Sequence, residues 1–168
     1  MNILPDLLRE NLALVICGTA AGNQSAQLSQ YYAKPGNKFW KVLFEVGLTP
    51  IRLEPSEYPR LLDYGIGLTD LAKDISGMDK GLIPSDFGLG ELRKKIDKYR
   101  PRILCFNGKR AAVEFLGRSV RYGIQPETSG ETRLFVATST SGAANGSWDL
   151  RVWQALADVC RQYQSIRQ

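Results

Sequence analysis

Four short polar segments hold the side chains of this sequence that could take part in chemistry or binding. Three of them each follow an apolar run: GTAAGN at 18–23, FNGK at 106–109 and STSGAANG at 139–146. The fourth, YYAKPGNKFW at 31–40, adds two tyrosines and an amide. The chain has no histidine, which excludes Ser-His and Cys-His nucleophile pairs and the usual general base at neutral pH. Any reaction at these segments must therefore use other groups.

The tyrosine pair and Asn37 each allow a structural and a functional interpretation. Tyr31 or Tyr32 could stack on a flat ring, and both could instead be core residues. Asn37 precedes the apparent helix FWKVL, so its side chain could cap that helix or position a water. The residues alone favour the cap.

The segments that follow the apolar runs also allow both a structural and a functional interpretation. GTAAG is neither a GxGxxG dinucleotide motif nor a phosphate P-loop, but its small residues would let backbone N–H groups approach a ligand. Asn107-Gly108 is a common turn pair, and the Asn107 side chain could also point into a crevice. Lys109 could contact phosphate or be solvated. The hydroxyls at 139–146 could hold a phosphate or belong to a loop that ends in a helix cap.

Composition narrows the classes of protein that fit. A chain of 168 residues predicts one domain, 1–168, and its net charge of +5 suits an anionic partner. The three cysteines are far apart and form no CxxC pair, so we expect them to be reduced and buried, without a zinc site. The sequence shows no signal peptide pattern and no apolar stretch of the roughly 20 residues that a membrane span needs. These features suit a cytoplasmic protein.

Apolar runs alternate with helical patterns along the chain. Strands are predicted at 12–17, 102–106 and 133–137, with a weaker one at 66–71. Helices are predicted at 37–46, 55–64, 85–99, 109–116 and 148–163. This alternation predicts an α/β fold, a three-layer α/β/α sandwich around a central, mainly parallel four-stranded sheet. Ligands bind beyond the carboxyl ends of such strands, so the three segments that follow the strands should line one crevice.

The segments, in this order, resemble the uracil-DNA glycosylase superfamily. GTAAG followed by AKPGNKFWKV resembles the GINPG and AHPANRFWKV of the mismatch-specific uracil/thymine glycosylases. YYAKPGNKFW is closer to the YYAHPRNxFW form of the hypoxanthine-DNA glycosylases. FNGK resembles the same four letters in the thymine glycosylases, and STSG resembles the second motif, whose loop enters the duplex. The resemblance covers most of the chain.

The departures from the family pattern identify the candidate catalytic residue. The asparagine of GINPG, which holds the attacking water in the mismatch-specific branch, falls at Ala20, and the proline falls at Ala21. The motif histidine falls at Lys34, and the histidine of the second motif has no counterpart. In the hypoxanthine branch the catalytic asparagine precedes the FW pair, which corresponds to Asn37 here. The resemblance therefore implies that Asn37 is catalytic and orients the water.

The resemblance also implies the other site residues, with no metal, no cofactor and no covalent intermediate. Tyr32 would stack on the base and Asn107 would contact its edge. The implied base pocket consists of Gly18, Thr19, Ala20, Gly22, Asn23, Tyr32 and Asn107. The implied DNA contacts are Lys109, Ser139, Thr140, Ser141, Gly142, Ala143, Ala144 and Asn145.

The function implied is that of a monofunctional DNA glycosylase that flips out and excises uracil, starting base excision repair. One alternative is a glycosylase for hypoxanthine or a mismatched base. The other, which Ala20 leaves open, is a non-catalytic module that binds DNA lesions. A small-molecule enzyme of α/β fold is disfavoured because no phosphate motif is present. The expected partner is DNA containing uracil or another deaminated base. We expect a monomer with no membrane partner, acting at the nucleoid of a bacterial-type cytoplasm.

Overall fold

Five strands form a single sheet in a computed structural model of the protein, which describes residues 3–77, 81–83 and 87–167, with the side chains of 164–167 excepted. The strand order is β2-β1-β3-β5-β4. The pairs β2-β1, β1-β3 and β3-β5 are parallel, whereas β4 is antiparallel to β5. The strands are β1 (Leu14–Ala21), β2 (Ile66–Ser76), β3 (Ile103–Asn107), β4 (Gly123–Ser129) and β5 (Thr132–Ala137).

The predicted α/β fold with a mainly parallel sheet is confirmed, but the predicted count of four strands is wrong. The missed strand is β4, GIQPETS, in which one residue, Gln125, is buried. An antiparallel edge strand that faces solvent carries no continuous apolar run, so the pattern that found the central strands could not find it.

The helices alternate with the strands, as predicted, with shifted ends. Neither α1 nor the 3₁₀-helix Gly142–Ser147 was predicted. The segment 55–64 is a 3₁₀-helix with Pro59 inside it, rather than an α-helix. The helix predicted at 85–99 begins at Leu89, and its predicted residues 85 and 86 lie outside the described residues. The α-helices are α1 (Asn23–Leu28), α2 (Phe39–Glu45), α3 (Leu89–Tyr99), α4 (Lys109–Leu116) and α5 (Leu150–Arg167).

Two apolar clusters, one on each face of the sheet, confirm the three-layer arrangement. On one face, Phe39 of α2 and Trp153 of α5 pack with strand residues such as Ile16. On the other face, Leu92 of α3 and Phe115 of α4 pack with the alternate strand residues. The three cysteines are free and buried, as expected: Cys17, Cys105 and Cys160.

The first strand is longer than its apolar run. The segment predicted as a loop at 18–23 continues β1 through Ala21, paired with β2 as far as Ala21↔Ser76, with a register shift between Ala20 and Ala21. Pairing of β1 with β3 stops earlier, at Cys17↔Phe106. Beyond Cys17, β1 therefore lies against β2 on one side and borders an opening toward β3 on the other.

The chain before β1 covers the outer edge of the sheet. The Ile3 N–H donates to the Lys73 carbonyl at 2.7 Å, and Leu7 and Leu68 form an isolated antiparallel bridge. This N-terminal segment places Asp6 beside β2. Within the described parts of the chain, no helix has both the length and the apolar character needed to cross a membrane.

Candidate active site

Hydrogen bonds join segments of the candidate site that are far apart in the sequence. The Lys38 N–H donates to the Thr140 carbonyl at 2.9 Å. The Asn107 amide donates through Nδ2 to Thr140 Oγ1 at 3.0 Å and accepts at Oδ1 from the Thr140 N–H at 3.1 Å. The structure therefore brings 36–38, the end of β3 and the start of the loop after β5 to the same edge of the sheet.

Asn37 precedes Lys38, the N-cap residue of α2, and its side chain binds the first N–H of the helix while keeping capacity for a second contact. Its Oδ1 accepts a hydrogen bond from the Phe39 N–H at 3.0 Å, and its own N–H donates to the Lys34 carbonyl at 3.0 Å. The residue is half-buried. Because an amide oxygen carries two lone pairs, the cap leaves one of them for a water. The geometry thus accommodates both interpretations of Asn37.

The two tyrosines differ in environment. Tyr31 is a core residue, 1% exposed, whose hydroxyl donates to the Pro5 carbonyl at 3.0 Å. Tyr32 is half-buried, and its ring stacks on Phe39 with centroids 4.0 Å apart and planes at 24°. Its backbone φ of 53° lies in the left-handed region, which is uncommon for an aromatic residue. Tyr32 is therefore the one of the pair that is placed for stacking.

Gly18, Tyr32 and Asp70 meet in what we call the Gly18 cluster. Gly18 pairs with Asp70 across β1 and β2. A Cβ added to Gly18 would lie 2.7 Å from Asp70 Oδ1 and 3.2 Å from the Tyr32 hydroxyl oxygen. Glycine is therefore needed here because two polar side chains occupy the space that a side chain of its own would fill.

The Asp70 carboxyl is buried in this cluster, with its side chain 4% exposed. Burial raises the pKa of Asp70 to about 6, Lys73 opposes that shift, and the Asp6 charge adds to it. Burial also raises the pKa of the Tyr32 hydroxyl well above its usual value, and the Asp70 charge acts in the same direction. Asp70 was not among the site residues predicted from the sequence. The available signal was a carboxylate at the end of the strand run IGLTDL.

The remaining residues of the predicted base pocket lie along β1 and the start of α1. Thr19 is buried, Ala20 is half-buried, and Gly22 and Asn23 are exposed. Asn23 Oδ1 accepts from the Ser76 hydroxyl at 3.3 Å. The loop predicted from these small residues is instead mostly strand, because pairing with β2 continues through Ala21. On the side toward β3, the backbone of β1 beyond Cys17 borders the opening described above.

The loop after β5 is exposed and built from small residues. Ser141 Oγ accepts from the Ala143 N–H at 3.2 Å and caps the 3₁₀-helix Gly142–Ser147. Thr140 is fully buried, so it anchors the loop, whereas Gly142, Ala143 and Asn145 are exposed.

Two lysines lie beside this loop. The Lys38 ammonium donates to Asn145 Oδ1 and lies 5.3 Å from the centre of the Trp148 ring. The Lys109 ammonium lies 4.5 Å from the centre of the Tyr122 ring. Seven of the predicted DNA-contact residues, 139–145, thus form this loop, and Lys109 is the eighth. Lys38, at the start of α2, is hydrogen-bonded to the loop at Thr140 and Asn145.

The chemistry that this arrangement allows is limited to a few groups. No set of three metal-ligating side chains comes together among the residues that the structure describes. The groups at the edge of the sheet are the Asn37 amide, the stacked Tyr32 ring, the buried Asp70 carboxyl and backbone N–H groups. They can orient a water, hold a flat ring and stabilise developing negative charge.

Comparison with known proteins gives the family. The model of the Uracil DNA glycosylase superfamily matches residues 5–157. The solution NMR structure of a protein from Methanosarcina acetivorans, provisionally named a uracil DNA glycosylase, matches with a TM-score of 0.61 and 22% identity. That match covers 94% of this chain and 96% of the other, and at this identity it shows a shared fold. Because the family model spans most of its length, the chain belongs to the uracil DNA glycosylase superfamily.

Proposed function

We propose that the protein is a monofunctional DNA glycosylase that flips uracil out of DNA and hydrolyses its N-glycosidic bond. The observation that carries the proposal is the position of Asn37. Its amide oxygen lies at the edge of the sheet, next to the stacked Tyr32–Phe39 pair, and the neighbouring Lys38 is bonded to the loop after β5. Family membership supports an activity on DNA, and the net charge of +5 suits that partner.

The proposed reaction follows a dissociative path. The enzyme extrudes the nucleotide, and the C1′–N bond lengthens toward an oxocarbenium-like sugar. Asn37 Oδ1 accepts a hydrogen bond from a water and aims it at C1′. An amide is too weak a base to deprotonate the water early, and late proton loss fits this path. A histidine is therefore not required.

The leaving uracil carries negative charge that spreads over its ring and carbonyl oxygens. We propose that Tyr32 stacks on the ring and that backbone N–H groups along 18–23 stabilise the charge. The opening between β1 and β3 beyond Cys17 supports this placement, since β1 has no ladder pair with β3 there among the described residues. Asn107 would contact the base edge with the hydrogen and lone pair that Thr140 does not use.

We propose that the exposed loop fills the gap left by the flipped base while its hydroxyls and Lys109 contact the backbone phosphates. Gly142, Ala143 and Ala144 are small enough to enter a duplex, and Ser139, Ser141 and Asn145 offer polar groups beside them. The 3₁₀-helix and the bond from Lys38 to Asn145 give the loop a defined shape.

A second candidate function is excision of hypoxanthine or a mismatched base. The observation in its favour is that Asn37, not Ala20, carries the amide, in a segment whose form is closer to the hypoxanthine branch. Oligonucleotides bearing uracil, hypoxanthine, xanthine or thymine opposite guanine, followed by alkaline cleavage of abasic sites, would rank the substrates. Release of none of these bases would favour the non-catalytic lesion-binding alternative.

The test of the proposed mechanism compares Asn37→Ala with Asn37→Ser. Serine keeps an oxygen that can cap α2 but lacks the amide. We expect both variants to lose about 100-fold or more in single-turnover excision, with binding to uracil-containing DNA retained. Only the alanine variant should lose the cap, about 1 kcal/mol of stability. Full excision by Asn37→Ala would overturn the mechanism.

A further inference from the structure

The Tyr32 hydroxyl is buried and forms no hydrogen bond of ordinary geometry. Among the described residues it is the only such side-chain polar atom, and the nearby Asn107 side chain acts to lower its pKa. Such a group loses its contacts with water and gains none from the protein, which is unfavourable. The same residue holds a left-handed backbone conformation, φ 53°. Both features are at a residue whose ring is placed for stacking on a base.

The natural acceptor for this hydroxyl is next to it. Asp70 Oδ1 and the Tyr32 oxygen both lie close to the Gly18 Cα, on the side where glycine has no Cβ. The Asp70 side chain makes one ion pair in the described structure, with Lys73 Nζ at 4.0 Å, which is longer than a hydrogen bond. Both oxygens lie within 3.2 Å of the point where a Gly18 Cβ would be, so rotation of the two side chains could bring the hydroxyl and the carboxylate together.

We propose that Asp70 is a positioning residue for the base-stacking ring: when ionised, its carboxylate accepts a hydrogen bond from the Tyr32 hydroxyl and fixes the ring against Phe39. This inference rests on the proposed glycosylase function. The bond would satisfy the buried hydroxyl and hold Tyr32 in its left-handed backbone conformation. Gly18 is the third part of the device, because any side chain there would separate the two groups.

The strength of the bond depends on the charge of Asp70. An ionised carboxylate accepts a hydrogen bond from a hydroxyl about twice as strongly as a neutral group does. Since burial raises the pKa of Asp70 to about 6, the bond strengthens as the pH rises through that value. The charged and titratable groups that face Asp70 are Lys73 on the same strand, Asp6 on the N-terminal segment, Lys95 on α3, Cys17 on β1 and the two tyrosines.

The pKa shifts of three neighbours of Asp70 move their titrations away from pH 6. Several interactions lower the pKa of Asp6 despite its burial, and burial raises the pKa values of Cys17 and Tyr31 above their usual range. The chain has no histidine, the residue that normally titrates in this region. A pH profile can therefore report on Asp70 directly.

The test measures single-turnover uracil excision from pH 5 to 8 for the wild type, Tyr32→Phe, Asp70→Asn and the double variant. We expect the wild-type rate to rise through an apparent pKa near 6. Each single variant should be about tenfold slower at pH 8, with that rise lost, and the double variant should be no slower than the slower single one. Tyr99→Phe, which removes a hydroxyl from the end of α3, should keep the wild-type profile. A wild-type profile in Tyr32→Phe, or multiplicative losses in the double variant, would overturn the inference.

Unfolding of the same four proteins in denaturant gives a readout that does not need activity. If the pair forms, the stability changes of Tyr32→Phe and Asp70→Asn should be non-additive at pH 8 and additive at pH 4. Non-additive stability changes without base release from any substrate would support the Tyr32–Asp70 hydrogen bond and overturn the glycosylase function. Base release with additive stability changes at both pH values would support the glycosylase function and overturn the hydrogen bond.

Discussion

Two aspartates that share Lys73 have opposite environments. Asp6 belongs to what we call the Asp6 cluster, Asp6 with Thr69, Lys73 and Lys95. It accepts from the Thr69 hydroxyl at 2.7 Å and pairs with Lys73 at 2.9 Å and Lys95 at 2.6 Å. Asp70, in the Gly18 cluster, has Lys73 at 4.0 Å. Burial alone would raise the pKa of both carboxyl groups. The three partners of Asp6 lower its pKa below the usual value, whereas the pKa of Asp70 stays raised, at about 6.

This difference in partners suggests that the Asp6 charge has a structural role, whereas the Asp70 charge is available for function. The Asp6 cluster joins the N-terminal segment to β2 and α3, and its donors and acceptors match. The Gly18 cluster holds an under-partnered carboxylate and an unpartnered hydroxyl at the edge where the ligand is expected. Folded proteins break such local rules mainly at functional sites. Variants in the first cluster should therefore affect stability, and variants in the second should affect activity or its pH dependence.

The largest effect is expected from Asp6→Ala. The change removes the ion pair of Lys95 and leaves Lys73 with only its longer pair to Asp70, and breaking a buried charge cluster from one side costs about 3–5 kcal/mol. Denaturant unfolding at pH 7 measures the loss. Asp158→Ala, which removes an exposed ion pair with Arg161, should remain near wild type. An Asp6→Ala variant as stable as Asp158→Ala would show that the Asp6 cluster is not structural and would remove the contrast with Asp70.

The next effect is a gain of stability in Asp70→Asn that depends on pH. The pKa of Asp70 is raised on folding, from 3.8 to about 6, so folding favours the protonated form. Wild-type stability therefore falls as the pH rises from about 4 through 6, and the neutral amide avoids that loss. We expect Asp70→Asn to be about 2–3 kcal/mol more stable than wild type at pH 8, with the gain vanishing near pH 4.

Unfolding curves of both proteins at pH 4, 6 and 8 give this comparison, and Asp6 is present in both proteins, so its own titration cancels. The variant should at the same time be slower in excision at pH 8. A variant that is more stable but less active would agree with the trade-off expected at functional sites. Equal stability of the two proteins at every pH would mean that the Asp70 charge is as well compensated as that of Asp6.

The sequence predicted the parts of this molecule that depend on local pattern. Apolar runs found the four strands of the parallel ladder, and helical spacing found α3, α4 and α5. It did not find β4, whose exposed edge carries no such run. Nor did it find that β1 continues through Ala21, because GTAA contains no large apolar side chain. That extension depends on pairing with β2, about 50 residues away.

The same limit applies to the candidate site. The residues that motif order assigns to the first and second motifs do meet, through Lys38 and Thr140. The role proposed for Asp70 could not be predicted, because it rests on the register of Asp70 with Gly18 and on the left-handed Tyr32. Those relations exist only after the chain has folded. The catalytic role of Asn37 stays a prediction, although its capping bond is present in the structure.

The smallest stability effect, and the sharpest test of the contrast between the clusters, is Gly18→Ala. The new Cβ would lie 2.7 Å from Asp70 Oδ1 and 3.2 Å from the Tyr32 oxygen, so both side chains must move. Overpacking of this kind costs about 1–3 kcal/mol. Gly90→Ala, at an open position of α3, should be neutral or slightly stabilising. Denaturant unfolding measures both changes.

The decisive comparison is between stability and activity. Asp6→Ala should lower stability while the remaining folded protein keeps its rate per molecule at pH 8, because the Asp6 charge only raises the pKa of Asp70 and Asp70 is ionised at that pH with or without it. Gly18→Ala should do the opposite, with a modest stability loss and a strongly reduced excision rate whose rise near pH 6 is gone, because the Tyr32 hydroxyl and Asp70 can no longer meet. If Gly18→Ala folds with the predicted loss yet excises uracil with the wild-type pH profile, the Gly18 cluster is ordinary packing.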